Sequence, residues 1–403
     1  MLCQDIFCKA SIFKQPNYFY MKNSILIFCS ALLLWNCTES KQKISLQNKI
    51  QGTWIDARYA ESEKKKDTDL IIESVKPSIF RIPIGINFQE NKLEYFRQFI
   101  EYNFDTITGK RSYNTFVGFV PYQLKTDSLF VQHPLQQKLV FKCTIDASLK
   151  DTLILKRKDG TYLRLVPLQK KEKDPLYFDQ VVLSRSGCFG RCPIMNISIK
   201  RDGSVTYYGE KFTNNIGLYK GKISPEFTKY IFKKLEDIQI SKVKTSYSVG
   251  HTDDETVSST FLNNGTIVKS ISDYGQAGTK ELLWAYCATL NLDQQIQLAA
   301  IPFNEKISNL DLIYFEKDNK RLFLSKSETF LLWKALQSAT IIPSDFEKKY
   351  VFHGGYFNSD IKRIESNGHL YTIYLKNGHI TTYDIGYNFM EDNFSEADFR
   401  TLN

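Results

Sequence analysis

Cys188 and Cys192 are the residues of this sequence best suited to chemistry, because they stand four positions apart around Gly190. Paired cysteines act as a redox dithiol, contribute ligands to a zinc site or close a structural disulfide. A redox dithiol usually has two intervening residues, whereas this pair has three and falls in a predicted hairpin loop. Zinc would need two more ligands, and His251 stands alone far along the chain. The pattern therefore favours a structural disulfide if the protein is exported.

The segment from His251 to Glu255 is a dense acidic cluster beside a histidine. Oxygen ligands at this spacing can meet a calcium ion, but the segment lacks the glycine and the regular spacing of a calcium-binding loop. We therefore favour a solvated loop before a strand and predict no metal site. Arg191, between the two cysteines, is a candidate binding residue for an anionic partner, with ordinary surface exposure as the alternative.

Residues 21–37, MKNSILIFCSALLLWNC, have the parts of an export signal. One positive charge at Lys22 precedes an apolar run over residues 25–35, and Cys37 follows just before a polar stretch. The apolar run is too short to span a bilayer, which takes about 20 apolar residues. A buried helix or a plain secretory signal with an incidental cysteine is the alternative interpretation. Export would place the chain in an oxidising compartment, where cysteine pairs close into disulfides.

The end of this segment resembles the lipobox of bacterial lipoproteins, with Leu34 three residues before Cys37. The two residues between them depart from the usual small ones, a form similar to the relaxed lipoboxes of Bacteroidota. The resemblance implies that Cys37 is lipidated and anchors an outer-membrane lipoprotein in the bacterial cell envelope. Residues 38–41 contain no acidic surface-export run, so we expect the periplasmic face. We expect translation to start at Met21, with residues 1–20 as an upstream extension.

The composition is that of a folded protein, with 42% hydrophobic, 14% aromatic and 24% charged residues. A length of 403 residues predicts two or three domains. The net charge of +9 comes from basic residues that are scattered among acidic ones. Because the basic residues form no stripe, we expect no nucleic-acid partner.

The first predicted domain, residues 38–168, is nearly all strand, with alternating apolar runs such as residues 70–72. Its last hairpin turns on Asp159 and Gly160, a pair suited to the positive φ angles of a type I′ turn. A Gly-x-Trp start at Trp54, before about eight antiparallel strands, resembles lipocalin-like domains of exported bacterial proteins. The resemblance implies a closed barrel that is filled by side chains or holds one small ligand. Trp54 is accordingly a candidate binding residue, or a plug for the barrel floor.

A short charged run over residues 169–175 predicts a linker to a second domain at residues 176–295. We predict an α+β domain there, with an antiparallel sheet and helices on one face. Ser224, followed by proline, marks the start of one helix. Asn264 and Gly265 form the strongest short hairpin signal in the chain.

The segment from Cys188 to Pro193 reads Cys-Phe-Gly-Arg-Cys-Pro. It resembles the Cys-Phe-Gly-x-Cys-Pro motif of a family of exported bacterial domains of unknown function, and the likeness extends to the segment at Asp273. The resemblance implies a family without an activity. In an exported domain, a disulfide across so short a loop would contribute about 2 kcal/mol. Cys143 and Cys287 fall in apolar stretches, and we predict that both are buried.

The last predicted domain, residues 300–403, shows the same order of hairpin, helix and hairpin as the preceding one. Ser327 is the predicted N-cap of its helix. Asn367 and Asn377, each followed by glycine, bound a predicted strand at residues 369–375. A degenerate repeat of the preceding domain and convergence on a generic α+β unit both fit this pattern.

The predicted fold class is therefore β-rich and multi-domain, with a lipocalin-like antiparallel β-barrel followed by α+β domains. The sequence has no nucleophile elbow, no phosphate-binding glycine loop and no paired histidines at zinc spacing. We expect a membrane-anchored, non-catalytic binding or scaffold module without a cofactor. The alternatives are a carrier of a small apolar ligand and an inhibitor or immunity lipoprotein with one envelope protein partner. A thiol redox enzyme using Cys188 and Cys192 is the least favoured.

Overall fold

The computed structural model describes residues 46–59, 84–104, 106, 111–169, 171–307, 314–353 and 360–401. The predicted export signal with Cys37, the upstream extension and the predicted strand at residues 70–72 lie outside the described residues. None of the described helices is long and apolar enough to cross a membrane.

The described strands and helices run in the following order along the chain. The strands are β1 (Gly52–Asp56), β2 (Gly85–Gln89), β3 (Lys92–Tyr95), β4 (Phe99–Phe104), β5 (Arg111–Phe116), β6 (Phe119–Lys125), β7 (Ser128–Gln132), β8 (Leu139–Asp146), β9 (Leu153–Lys156), β10 (Tyr162–Pro167), β11 (Gln180–Arg185), β12 (Ile194–Lys200), β13 (Ser204–Lys211), β14 (Gly217–Lys222), β15 (Ser246–Ser248), β16 (Thr256–Asn263), β17 (Thr266–Tyr274), β18 (Leu298–Ala300), β19 (Tyr314–Lys317), β20 (Lys320–Phe323), β21 (Thr340–Ile341), β22 (Tyr350–His353), β23 (Ile361–Ser366), β24 (Leu370–Leu375), β25 (Ile380–Asp384) and β26 (Arg400–Thr401). The helices are α1 (Pro225–Glu236), α2 (Lys280–Thr289), α3 (Lys326–Gln337) and α4 (Phe389–Asn393), with 3-10 turns at Leu292–Gln294, Glu305–Ile307 and Glu396–Asp398.

The first unit is a closed antiparallel barrel of eight strands in the order β1-β10-β9-β8-β7-β6-β3-β2, which confirms the predicted barrel. The hairpin β4–β5 stands apart from it as a separate two-stranded sheet. The predicted type I′ turn between β9 and β10 is wrong. Only Gly160 has positive φ, at 79°, and Asp159 instead accepts a hydrogen bond from the Thr161 amide at 2.9 Å. Asp159 therefore stabilises a longer loop through its side chain, with glycine alone in the left-handed region.

Large apolar side chains pack against one another inside the barrel. Phe88 and Tyr122 meet edge to face, with their ring centroids 5.4 Å apart. Trp54 belongs to the same cluster, and its indole nitrogen donates to the Ile50 carbonyl at 2.7 Å. The Trp54 side chain is thus part of the barrel core, with its only polar atom satisfied.

The second unit is an eight-stranded sheet, the middle sheet, in the order β15-β17-β16-β11-β12-β13-β14-β18. Asn264 and Gly265 connect β16 to β17 with φ angles of 50° and 85°, as the predicted hairpin requires. Ser224 caps α1 as predicted, since its hydroxyl accepts a hydrogen bond from the Phe227 amide. Helices α1 and α2 cover one face of the middle sheet, where the apolar side chains of β11, β12 and β16 point.

The third unit is another eight-stranded sheet, the C-terminal sheet, in the order β21-β25-β24-β23-β22-β19-β20-β26. The predicted N-cap of its helix α3 is wrong. Ser325 is the cap, and it forms a capping box with Glu328 three residues later. Ser327 instead lies inside the first turn, where its hydroxyl contacts the Thr260 hydroxyl at 2.8 Å and its amide donates to the Ser258 hydroxyl. The middle sheet therefore uses this serine to dock the helix.

The strands of the two large sheets are distributed differently around their helices. A four-stranded meander, β11–β14, precedes α1 in the middle sheet, and the hairpin β16–β17 follows it. A hairpin, β19–β20, precedes α3 in the C-terminal sheet, and the meander β22–β25 follows it. The two units thus share an architecture, whereas their chain order differs.

Both faces of the middle sheet are covered. Helix α3 lies between the two sheets, because its Phe330 and Trp333 pack in one cluster with Tyr208 of the middle sheet and Tyr371 of the C-terminal sheet. On the opposite face, the barrel contacts helices α1 and α2, and Phe96 of the barrel meets Trp284 with ring centroids 4.5 Å apart. The ends of the middle sheet are therefore where its own loops reach solvent.

Candidate interaction surface at the disulfide loop

Two loops meet at the end of the middle sheet where β11 ends and β16 begins. We call residues 186–193 the disulfide loop and residues 249–255 the acidic loop. The Ser186 amide donates to the Thr256 carbonyl at 2.9 Å, and the Thr256 amide donates to the Ser186 hydroxyl at 2.8 Å. The Phe189 amide donates to the Asp253 carbonyl at 3.0 Å. The two loops are thus fixed to each other through their backbones.

Cys188 and Cys192 form a disulfide, which confirms the prediction for this pair. Gly190, inside the ring, has a φ angle of 148°, a conformation that residues with a side chain rarely adopt. Phe189 lies inside the disulfide-closed loop, and its side chain is 88% exposed. Arg191, in the same loop, is also exposed. A covalently closed loop therefore displays an aromatic ring and a guanidinium to solvent.

We expect the double substitution Cys188→Ser, Cys192→Ser to lower the free energy of unfolding by about 2 kcal/mol, because the disulfide restricts a short loop in the unfolded chain. Urea unfolding of the oxidised protein measures this loss. The reduced wild type, which lacks the disulfide without any substitution, is the control. Equal midpoints for the oxidised and the reduced wild type would contradict a structural role for this disulfide.

The charged residues of the acidic loop are divided among separate partners. Glu255 pairs with the guanidinium of Arg185 through two oxygens at 2.7 to 2.9 Å, and both side chains are largely buried. Gln276 also donates to Glu255, at 3.2 Å. His251 instead contacts Asp254 at 2.7 Å near the surface. Among the described residues, no group of three His, Cys, Asp or Glu side chains is arranged to hold a metal ion.

The turn after β17 also lies at this end of the sheet and is closely packed against the acidic loop. Gly275 has a φ angle of 70°, and a Cβ atom there would lie 2.4 Å from a methyl carbon of Val249. The hydroxyl of Tyr274 accepts a hydrogen bond from the Asp254 amide at 3.1 Å. The turn therefore supports the acidic loop, which in turn holds the disulfide loop.

Asp273 anchors the same turn from inside the protein. Its carboxylate accepts hydrogen bonds from the Ala277 amide at 2.7 Å and from the Gly278 amide at 3.1 Å, and the residue has no exposed surface. Burial raises the pKa of Asp273 to about 6, although the two amides act in the opposite direction. Such a carboxyl group binds its proton more tightly in the folded protein than in the unfolded chain.

This shift predicts a pH-dependent loss of stability. Since the folded pKa of Asp273 is raised, the folded state is favoured below pH 4, and this advantage is lost as the pH rises to about 6. The full effect is about 3 kcal/mol. We expect Asp273→Asn, which keeps an oxygen for the two amides, to remove this loss, so that its stability relative to wild type increases between pH 4 and 6. Urea unfolding at several pH values tests this, and parallel pH profiles would contradict it.

The hairpin β4–β5 lies against the same end of the middle sheet. Burial raises the pKa of Tyr113 on β5, and the charges of Arg185, Asp293 and Glu255 also influence it. Tyr102 is the cross-strand neighbour of Tyr113 and is itself exposed. The hairpin therefore carries an exposed aromatic ring of its own.

Glutamine side chains of the second unit fix this hairpin in place. The Thr115 amide donates to the side chain of Gln294 at 2.8 Å, and the Val117 amide donates to that of Gln295 at 3.1 Å. The two side-chain carbonyls thus satisfy backbone donors of the barrel unit, as a neighbouring strand would. The hairpin and the middle sheet are thereby held in one arrangement.

The other residues that the sequence singled out are buried. Trp54, a candidate binding residue, lies in the barrel core and is 7% exposed. Cys143 and Cys287 are buried free thiols, as predicted, and burial raises the pKa of each to about 11. Thiols with so high a pKa are almost entirely protonated at neutral pH and therefore unreactive.

The sequence interpretation missed Phe189 and the hairpin β4–β5. Phe189 lies in the middle of the cysteine motif, in a predicted hairpin loop. Because such loops run over the protein surface, its position in the sequence was a signal for exposure. The packing of the hairpin against Gln294 and Gln295 has no such signal, because these residues belong to different units.

The assembled surface displays side chains that are common at protein interfaces. It offers an exposed phenylalanine and an exposed arginine, and both residue types are enriched at interface cores. The largely buried ion pair between Arg185 and Glu255 lies next to the two loops. Its charges neutralise each other, and it links the start of the disulfide loop to the acidic loop. The arrangement can therefore dock an apolar pocket and an anionic group of a partner.

Residues 179–292 match DUF6438, a domain of unknown function. The match begins just before β11 and ends at the 3-10 turn after α2, so it contains both loops and the turn after β17. The barrel and the C-terminal sheet lie outside the matched residues. No curated protein matches the chain.

Proposed function

We propose that this protein is a non-catalytic binding module of the bacterial cell envelope, anchored through lipidated Cys37, which recognises an envelope protein through its disulfide loop. The observation that carries the proposal is the exposure of Phe189, 88%, on a loop closed by a disulfide and bonded to the acidic loop. Aromatic residues, phenylalanine included, are enriched at the cores of protein interfaces. Arg191 adds a guanidinium that pairs with carboxylates on the partner.

The rigidity of the loop supports this function. A flexible loop loses conformational freedom when it binds, and this loss reduces the affinity that its contacts can provide. The disulfide between Cys188 and Cys192 and the hydrogen bond from Phe189 to Asp253 remove much of that freedom in advance. The backbone that carries the aromatic ring is therefore fixed before the partner binds.

The disulfide also supports the envelope location. Disulfides persist in exported proteins and are rare in the reducing cytosol.

Metabolic labelling with a fatty-acid probe tests the anchor, since we expect label on the wild type and none on Cys37→Ser. The redox alternative conflicts with the tight integration of the loop, because reduction would release contacts that hold the acidic loop.

The packed barrel interior favours a structural barrel over a ligand carrier. Large side chains such as Phe88, Tyr122 and Trp54 contact one another within it, and an eight-stranded barrel has little room beyond its side chains. An inhibitor or immunity role is a special case of the proposed function, in which the single partner is an enzyme. It would use the same surface.

Capture from solubilised envelope tests the proposed function with three forms of the protein. We expect one partner to copurify with the wild type and with Tyr162→Ser, an exposed aromatic position on the outside of the barrel. Phe189→Ser should retain at most about a tenth of that partner, since loss of an aromatic anchor costs at least about 1.4 kcal/mol. Equal recovery with Phe189→Ser and wild type would contradict the assignment of this surface.

A further inference from the structure

One more loop, residues 212–216 between β13 and β14, lies next to the disulfide loop at the same end of the middle sheet. Ile194 directly follows the disulfide loop and is the cross-strand partner of Lys211, the last residue of β13. Consecutive Cα atoms are about 3.8 Å apart and paired ones about 5.5 Å, so the Cα atoms of Cys192 and Phe212 are at most about 17 Å apart. A protein interface covers about 800 Å² on each partner, so one partner can contact both loops.

Phe212 of the β13–β14 loop has an unusual backbone conformation. Its φ angle is 57°, and apart from glycine it is the one apolar residue with positive φ among the residues that the structure describes. A Cβ atom is strained in this region, and asparagine tolerates it better. The Phe212 side chain is 42% exposed, Ile216 of the same loop is exposed, and the ammonium of Lys211 lies 5.0 Å from the centre of the Phe212 ring. Folding therefore gives little reason for an aromatic residue at position 212.

Hydrogen bonds and close packing hold the β13–β14 loop in place. The Thr213 hydroxyl donates to the Asn215 carbonyl at 2.9 Å, and the side-chain amide of Asn215 donates to the carboxylate of Asp293 at 3.1 Å. The Asn215 carbonyl also lies so close to β13 that a Cβ atom at Gly209 would be 1.8 Å from it. The exposed side chains of this loop are therefore carried on a backbone that is fixed by its own contacts.

The exposed charges at this end of the middle sheet are divided by sign along the strand order. The acidic loop precedes β16, the disulfide loop joins β11 to β12, and the β13–β14 loop lies beyond β12. Arg191 and Lys211 are exposed on the side of β12 and β13, whereas Asp253 is exposed on the side of β16. The carboxylate of Glu210, next to the β13–β14 loop, is paired with the ammonium of Lys326 at 2.6 Å. Apolar side chains and positive charge therefore occur on the same side, which attracts an anionic partner.

We propose that the β13–β14 loop extends the surface around Phe189, and that the partner is an envelope protein whose contact face is apolar with an acidic rim. This inference rests on the proposed function and names the chemistry of its partner. Phe212 and Ile216 contact apolar side chains of the partner. Arg191 and Lys211 pair with carboxylates at the rim, since interfaces combine an apolar core with a polar edge. The strain at Phe212 is retained because the ring serves binding.

Thermal unfolding of the purified full chain tests whether Phe212 serves folding. Asparagine adopts positive φ readily, so the gain in backbone conformation offsets the lost burial of the ring in Phe212→Asn. The matched control is Phe323→Asn on β20, at a phenylalanine of similar exposure without positive φ. We expect Phe212→Asn to lower the melting temperature less than Phe323→Asn does. An equal or larger loss with Phe212→Asn would show that the ring is needed for packing and would overturn the proposal.

Photocrosslinking in cells tests whether the two loops contact one partner. We expect p-benzoylphenylalanine at position 212 to give the same crosslinked protein as at position 189, and the same residue at position 323 not to give it. An adduct from position 189 alone would overturn this inference and leave the proposed function in place. The absence of adducts from both positions would contradict both.

Affinity measurements with that crosslinked protein, once purified, test the acidic rim. We expect Lys211→Glu to weaken binding at least tenfold, because it places a carboxylate opposite the carboxylates of the partner. Lys229→Glu makes the same change of charge at an exposed lysine on α1 and should bind like the wild type. Equal affinities of Lys211→Glu and the wild type would overturn the proposal.

Discussion

Replacing Lys234 with methionine should lower the free energy of unfolding by about 3–5 kcal/mol, the cost of leaving one partner of a buried ion pair alone. The ammonium of Lys234 on α1 lies 2.7 Å from the carboxylate of Glu94 on β3, and both side chains are at most 10% exposed. Tyr230 donates to the same carboxylate oxygen at 2.8 Å. The ammonium also lies 3.5 Å from the ring centroid of Phe96. The pair therefore joins the barrel to the helices of the middle sheet.

Two further variants separate the charge from the packing. Lys233→Met, at an exposed position on the same helix, should leave the urea midpoint within error of the wild type. Glu94→Gln combined with Lys234→Met should recover most of the loss, because no charge is then left buried and Tyr230 keeps an acceptor. A double variant as unstable as Lys234→Met alone would show that the ion pair is not the cause.

Truncating Trp333 to alanine should cost about 3–5 kcal/mol, as expected for a large side chain removed from a packed core. Trp333 stacks on Tyr208 with ring centroids 4.6 Å apart, and its indole nitrogen donates to the Ile307 carbonyl at 2.6 Å. Phe303 and Phe330 also pack against it. The substitution therefore removes the centre of the contact between the middle sheet and the C-terminal sheet.

Circular dichroism during urea unfolding measures this loss. Trp333→Phe keeps an aromatic ring and loses the hydrogen bond to Ile307, so it should cost clearly less than alanine. Phe323→Ala, at an exposed aromatic position on β20, is the matched control and should have little effect. A loss with Trp333→Ala that is no larger than with Phe323→Ala would contradict a shared core between the two sheets.

The features that the sequence predicted correctly are set by short-range chemistry. Asn264 and Gly265 tolerate positive φ angles, so their hairpin forms whatever packs around it. Ser224 before a proline starts α1 for reasons contained in one turn. The N-cap of α3, which we predicted wrongly at Ser327, is also set by neighbouring residues. The spacing of Ser325 and Glu328 would have identified it.

The features that the sequence did not predict depend on contacts between distant segments. Glu94 and Lys234 are 140 positions apart, and neither residue shows in the sequence that it is buried. Helix α3 packs on the second face of the middle sheet, and this contact also joins distant segments. It was not predicted, since Ser258 and Thr260 look like ordinary strand residues in the sequence. Polar residues that face a docked helix cannot be told from polar residues that face solvent by alternation alone.

The candidate surface was predictable in its covalent part and not in its assembly. The spacing of Cys188 and Cys192 predicted the disulfide. The hydrogen bond from Phe189 to Asp253 joins two loops whose order along the chain gives no sign of contact. The acidic loop was considered as a calcium site because its carboxylates are adjacent in sequence, but Glu255 points inward to Arg185. Only the fold shows that these carboxylates face different partners.

Site-specific photocrosslinking in cells tests the central claim, recognition through Phe189, most directly. Phe189 is replaced with p-benzoylphenylalanine, and Tyr162 is replaced with the same residue as the control on the barrel surface. Recognition through the disulfide loop predicts a discrete crosslinked partner from position 189 and none from position 162. The absence of any adduct from position 189, or the same adducts from both positions, would contradict it.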